Sequence, residues 1–223
     1  MISIRRRLME MQNQPTPTVY VTDGLVLWLD GINKGNTPNA WDDLISGYSF
    51  ADYYGQVVFG SDYVEFADNK ECYLYNQDFD VPRYTTGTIE IVYSTNVAHA
   101  QILFSPKSQN AIAYGVGAGS VIWVKNVIGS TYANMYKYPR FTSGSVSISL
   151  SGAYYDGVTQ QNTGTDIWAD TERDQSVIGK TYYRDDRCFG GKIYCIRIYN
   201  RQLTQAEVLA NYAVDRSRFS LFN

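Results

Sequence analysis

The 223-residue chain has one histidine, three cysteines and only 18% charged residues, and each scarcity removes a class of function. With His99 alone and no G-x-S-x-G elbow, a Ser-His-Asp site has no support. One histidine and the scattered Cys72, Cys188 and Cys195 give no zinc-ligand spacing. The odd cysteine count leaves at least one thiol unpaired. Cys188 and Cys195 sit on one extended segment, which holds them roughly 20 Å apart, beyond disulfide reach. Buried free thiols are therefore expected. The net charge of -3 offers no basic field for nucleic acid or acidic lipid. No apolar run approaches the roughly 20 residues of a membrane span. The opening MISIRRRLMEMQNQPTPTVY has basic residues but no apolar segment behind them, so no signal peptide is expected and synthesis is expected to be cytoplasmic.

What the chain does have is 44% apolar residues and 20 tyrosines, with polar turn formers between them. That mixture suits many short strands joined by tight turns. Residues 1–18, with Arg5, Arg6, Arg7, Pro15 and Pro17, form an arm, either a loose tail or an assembly peptide. Residues 19–223 read as one domain without linker or repeat. GLVLWLDG at 24–31 is the first strand, with Leu25, Leu27 and Leu29 on one face and Val26 and Trp28 on the other. Trp41 and Leu44 anchor the loop that follows. Further strands are expected at 56–59, 63–66, 71–75, 86–94, 101–104, 111–115, 121–125, 144–150 and 176–179. Val146, Ile148 and Leu150 alternate inward against Ser145, Ser147 and Ser149. Asp156-Gly157 marks a hairpin.

The chain is organised around 188–219. Tyr194, Ile196 and Ile198 fall on one face of a strand, with Cys195 and Arg197 on the other. Thr204 is placed as an N-cap and Glu207 completes a capping box, with Leu203 and Val208 as a hydrophobic staple. Val208, Leu209 and Tyr212 give the helix a face to bury. Ten to twelve short strands and one late helix predict an all-β fold, a two-sheet antiparallel sandwich or jelly roll with a short C-terminal helix.

Four places resemble the concanavalin A-like lectin/glucanase superfamily, in particular its laminin-G-like jelly-roll domains. They are Gly24 to Asp30, Trp41-Asp42-Asp43-Leu44, Tyr155-Asp156-Gly157 and Phe189 to Tyr212. In the third, Asp156 stands where the family usually has Asn. The resemblance implies a sandwich whose members include lectins, adhesion modules, polysaccharide hydrolases and protein-interaction modules. The Arg-rich opening is also similar to the starts of phage and prophage structural proteins, which adds virion proteins as possible partners. The family's glucanases carry E-x-D-x-x-E on one strand, which lines carboxylates along a cleft. Here Glu90 is followed by Val92 and Thr95 at the equivalent places, and Glu65 and Glu71 do not restore the spacing. The chain is therefore expected not to be an enzyme, with a polysaccharide hydrolase as the lesser alternative.

Recognition is the expected work, with a glycan or cell-surface ligand as the partner and virion assembly through the arm as the alternative. Aromatic rings stack on the C–H faces of sugars while polar side chains reach the hydroxyl rim. The densest such mixture runs through Trp123, Tyr132, Tyr136, Tyr138 and Arg140, and Trp168 is a further candidate in a loop. The same rings also suit core or cross-strand positions. No cofactor is required. Calcium is admitted by the family, and Asp170, Asp174, Asp185 and Asp186 lie in turn-rich stretches able to supply oxygen ligands, although solvated turn aspartates are the default reading. Gly115, Gly117 and Gly119 precede a strand, so they read as a hairpin rather than a phosphate loop.

Overall fold

The structure, a computed structural model, describes residues 19–79, 87–95, 97, 101–105, 107, 113–116, 121–125, 132–137, 143–149, 152–160, 162–167, 175–180 and 188–223. The arm at 1–18 lies outside them.

The first sheet is built from β1 (Leu25–Asp30), β4 (Val58–Phe59), β5 (Val64–Phe66), β7 (Thr88–Thr95), β12 (Ser143–Ser149), β13 (Gly152–Tyr155), β14 (Val158–Gln160) and β17 (Gly191–Tyr199). The second comprises β2 (Ala40–Asp42), β3 (Ser49–Asp52), β6 (Leu74–Asn76), β8 (Gln101–Ser105), β9 (Ala113–Val116), β10 (Val121–Lys125), β11 (Tyr132–Lys137), β15 (Asn162–Ile167) and β16 (Ser176–Ile178). Their orders are β14-β13-β12-β7-β17-β5-β4, with β1 also on β17, and β15-β11-β10-β9-β8-β16-β6-β3-β2. All pairings are antiparallel. The predicted β-sandwich is therefore present.

β17 is the central strand of the first sheet. One edge pairs with β7 along its length, while the other is shared by β5 at Gly191–Ile193 and β1 at Cys195–Tyr199. Leu27, Leu29, Phe50, Val64, Leu74, Ile89, Ile91, Phe104, Val146, Ile178, Ile196 and Ile198 come from both sheets and fill the layer between them. Each such aliphatic or aromatic side chain contributes about 1.5–3 kcal/mol by leaving water. Asp156 and Gly157 have φ of 46° and 76°, the paired left-handed conformation of a type I′ turn, and join β13 to β14 as expected.

The terminal helix, α1 (Gln205–Arg218), begins at Thr204 with the predicted capping box complete. Leu203 and Val208 share a small cluster with Leu25 and Tyr199. The helix covers the outer face of the first sheet, away from the second. There it sits on a buried ionic network. Arg197 donates to Glu90 at 2.9 Å and, through both terminal nitrogens, to Asp215 at 2.7 and 2.8 Å. Asn211 donates to Glu90 at 2.8 Å and to the Tyr199 hydroxyl at 3.0 Å. Tyr20 donates to Asp215 at 2.8 Å, and its ring lies 4.1 Å from the Arg197 guanidinium. Arg218 adds a bond to Asp30 at 2.6 Å.

Several expectations need correction. A register shift between Ile193 and Cys195 inserts a bulge, so Tyr194 leaves the core face and packs with Cys195, Val92 and Phe219. A similar shift between Leu25 and Leu27 sends Leu25 to the helix side. Trp28 is half-buried on that side as well, edge-on to Tyr20 at 5.3 Å. Trp41 is fully buried as expected, but Leu44 is 39% exposed and holds the loop through its amide, which donates to the Trp28 carbonyl at 2.9 Å, rather than through a buried side chain. On α1 the buried positions are Val208, Asn211, Val214 and Asp215, whereas Leu209 and Tyr212 are half-buried, because the sheet beneath presents charge. Ser145, Ser147 and Ser149 do face outward, but they are buried. The described residues hold seventeen strands, more than ten to twelve, since short and polar strands such as β2, β3, β11 and β15 lack an apolar alternation. Cys72, Cys188 and Cys195 are buried, and none is joined in a disulfide.

Candidate functional site

Three of the aromatic residues singled out by sequence fall on adjacent strands of the second sheet. Trp123 is on β10, and Tyr132 and Tyr136 are on the adjacent β11. Trp123 pairs in register with Met135, Tyr136 with Ile122, and Tyr132 with Ile167 of β15. Tyr138, Arg140 and Trp168 lie outside the described residues, as do His99 and the four aspartates considered for calcium. Among the described residues no group of three or more His, Cys, Asp or Glu is arranged to hold a metal ion. Gly115 pairs with Trp123 across β9 and β10, in keeping with a hairpin there.

Four other tyrosines come together elsewhere on that sheet. β6 buries Leu74 in the core, so the flanking Tyr73 and Tyr75 stand on the outer face. β3 pairs with β6, placing the small Ala51 opposite Tyr75. β3 then ends at Asp52, whose carboxylate accepts from the amides of Tyr54, Gly55 and Val57 at 3.2, 2.9 and 2.8 Å. This carboxylate-capped turn fixes Tyr53 and Tyr54 beside the β6 tyrosines. Tyr53 is 68% exposed and Tyr54 48%, large values for rings so well anchored.

The four rings form a closed circuit. Centroids are 5.0 Å apart for Tyr53–Tyr54, 5.8 Å for Tyr54–Tyr73, 6.5 Å for Tyr73–Tyr75 and 6.0 Å for Tyr53–Tyr75. Lys180 holds its ammonium 4.2 Å from the Tyr73 ring centroid and donates to the Lys70 carbonyl at 3.2 Å. Gln56 donates to Glu71 at 3.0 Å on the border. The Tyr73 hydroxyl is pushed up to about 12, first by burial and then by its neighbour Tyr54, with which it shares a hydrogen bond. The Tyr73 phenol is therefore neutral at physiological pH, a donor and acceptor beside apolar ring faces. Sequence reasoning missed it because Tyr53-Tyr54 and Tyr73-x-Tyr75 are joined only by the β3–β6 pairing. The available signal was tyrosine on both sides of a core leucine, with a second tyrosine pair in a glycine turn.

A concavity of about 540 Å³ opens where β5 and β7 end and β17 begins, with Phe66, Asp68, Thr95, Val97 and Lys192 among its lining. Thr95 donates to the Gly190 carbonyl at 2.5 Å, and the Gly190 amide donates to Gln101 at 3.0 Å, so its floor is rigidly held. Lys192 faces Glu65 across the β17–β5 pair, and its ammonium lies 4.0 Å from the Tyr63 ring centroid. Glu90, the one residue matching the glucanase carboxylates, is no cleft residue. It is 2% exposed beneath α1 and tied to Arg197 and Asn211.

No family model and no curated protein matches the chain. Solved structures do. A Trypanosoma rangeli sialidase in complex with sialic acid is 12% identical, with a TM-score of 0.62 over 96% of this chain and 37% of its own. The botulinum neurotoxin type G receptor-binding domain is 12% identical, with a TM-score of 0.60 over 86% of this chain and 52% of its own. The receptor-binding domain of a botulinum neurotoxin C/D mosaic is 15% identical, with a TM-score of 0.56 over 85% of this chain and 51% of its own. The chain thus spans well under two thirds of each, and the likeness is one of fold. These matches correct one expectation. The chain was expected not to be an enzyme, yet the structures it is similar to include sialidases, which are enzymes, beside receptor-binding domains. Lack of the glucanase carboxylate pattern does not set this chain apart from catalytic proteins of the same fold.

Proposed function

We propose that the chain recognises a glycan, and that the tyrosine patch on β3 and β6 is where it does so. The observation that carries this is the exposure of Tyr53 and Tyr54 on a fixed turn, continuous with Tyr73 and Tyr75. Exposed aromatic rings cost solvation, and a contiguous group of them marks a recognition surface. Pyranose C–H faces suit the rings, and the phenols and Lys180 supply partners for sugar hydroxyls. Two of the similar solved folds belong to a sialidase holding sialic acid and to a receptor-binding domain, which supports recognition of surface ligands as the class of work.

The strands β10 and β11, which carry Trp123, Tyr132 and Tyr136, are proposed as a second place for the same class of ligand. They belong to the same sheet, with β9, β8 and β16 between them and β6. A glycan array probed with the parent chain and with the Tyr53→Ala/Tyr54→Ala double variant tests the reading. Selective binding by the parent and loss in the variant are expected. An array blank for the parent overturns it.

A further inference from the structure

The ring geometry narrows the ligand, given that the patch reads glycans at all. Neighbouring rings around the circuit are inclined at 80°, 65°, 58° and 69°. No two adjacent rings are close to coplanar. A flat polysaccharide surface, in which parallel chains present one continuous plane of C–H groups, needs rings lying in a single plane. Rings 5.0–6.5 Å apart that meet edge to face instead make a faceted surface. A sugar stacked on one facet leaves the next sugar to turn before it can meet another. We infer that the patch takes soluble, non-planar glycans, one or two pyranose units at a chain end or bend, and excludes crystalline polysaccharide.

Two further observations bear on the patch. Asp52 spends its carboxylate on the turn amides, and Glu71 receives Gln56, so the acids bordering the rings already hold hydrogen bonds. Lys180 sits against Tyr73 through its ammonium and reaches a backbone carbonyl, so it fixes that ring's position at the edge of the patch. A fixed ring loses little entropy on binding, which favours small ligands with few contacts.

The test uses the whole chain in two assays. Affinity electrophoresis through gels containing xyloglucan, galactomannan, hyaluronan or mucin measures binding to soluble glycans. Co-sedimentation with microcrystalline cellulose and α-chitin measures binding to flat surfaces. Tyr53→Ala and Tyr54→Ala are run beside the parent, with circular dichroism to establish that each is folded. Expected are retardation by at least one soluble glycan, roughly tenfold weaker in either variant, and no sedimentation with either solid. Sedimentation that depends on Tyr53 or Tyr54 overturns the inference while keeping glycan recognition at the patch. Retardation unchanged in both variants moves recognition away from the patch and overturns the inference. Neither retardation nor sedimentation overturns glycan recognition itself, and the inference falls with it.

Discussion

Arg197 is the residue whose loss the fold should feel most. Its guanidinium is fully buried between β17 and α1, making three charged hydrogen bonds to Glu90 and Asp215. Arg197→Met keeps much of the volume and removes the charge, leaving two carboxylates at 2% and 0% exposure facing each other. Removing one partner of a buried ion pair costs about 3–5 kcal/mol. Since whole domains are stable by only about 5–15 kcal/mol, roughly a fifth or more of the total is at stake. Urea unfolding followed by tryptophan fluorescence reads this directly. With a slope of about 2–3 kcal/mol per molar, the midpoint falls by about 1–2 M.

The sign of the pH dependence adds a second check. Burial raises the Glu90 carboxyl from its ordinary 4.5, Arg197 pulls it back down, and Asp215 raises it. Without Arg197 the folded-state value climbs further. A group raised in the folded state gives stability at low pH that is lost as pH rises through its folded value. The variant's deficit is therefore larger at pH 8 than at pH 5. Adding Glu90→Gln and Asp215→Asn to Arg197→Met restores part of the loss. A variant within 1 kcal/mol of the parent at pH 8, or a deficit larger at pH 5, refutes the reasoning.

Other outcomes follow from the same geometry. Glu207 is held down to about 2 by its hydrogen bonds to Arg201 against an opposing effect of burial, with further help from the Thr204 cap. Its contribution to stability is complete above 4.5 and is lost as pH falls toward 2, so a carboxyl titration by NMR giving 4 or higher contradicts the capping box. Thr204→Ala lowers the unfolding free energy by about 1 kcal/mol, and an unchanged denaturation midpoint contradicts the cap. Gly191 has φ of +146°, and a Cβ there runs into the Ser94 carbonyl oxygen, so Gly191→Ala destabilises by about 2 kcal/mol or more. A neutral Gly191→Ala in thermal unfolding contradicts the close β7–β17 approach at that end.

Local chemistry was readable from the chain because its causes are local. The Thr204–Glu207 box, the Asp156-Gly157 turn, and the alternation of Ile89, Ile91 and Tyr93 each depend on neighbours within a few residues. The bulge before Cys195 was not readable, since Ile193 through Tyr199 looks like an uninterrupted strand and the shift exists only against β7. Arg197 looked like an outward-facing position and is one, yet its partners lie 107 residues earlier and 18 later. Only the packing of α1 turns that face into an interior. The candidate site was hidden for the same reason. Tyr53 and Tyr75 touch through a sheet pairing, and no spacing in the chain announces it. Trp123, Tyr132 and Tyr136 stand out in the chain because they are close in sequence, whereas Tyr53-Tyr54 and Tyr73-x-Tyr75 are brought together only by the β3–β6 pairing.

Calorimetric titration of one array-identified glycan into the parent, Tyr54→Ala and Trp123→Ala tests the central claim most directly. The account predicts that both variants stay folded and that Tyr54→Ala weakens binding about tenfold, more than Trp123→Ala does. Equal affinity of Tyr54→Ala and the parent, with binding lost in Trp123→Ala, contradicts it and moves the site to β10 and β11.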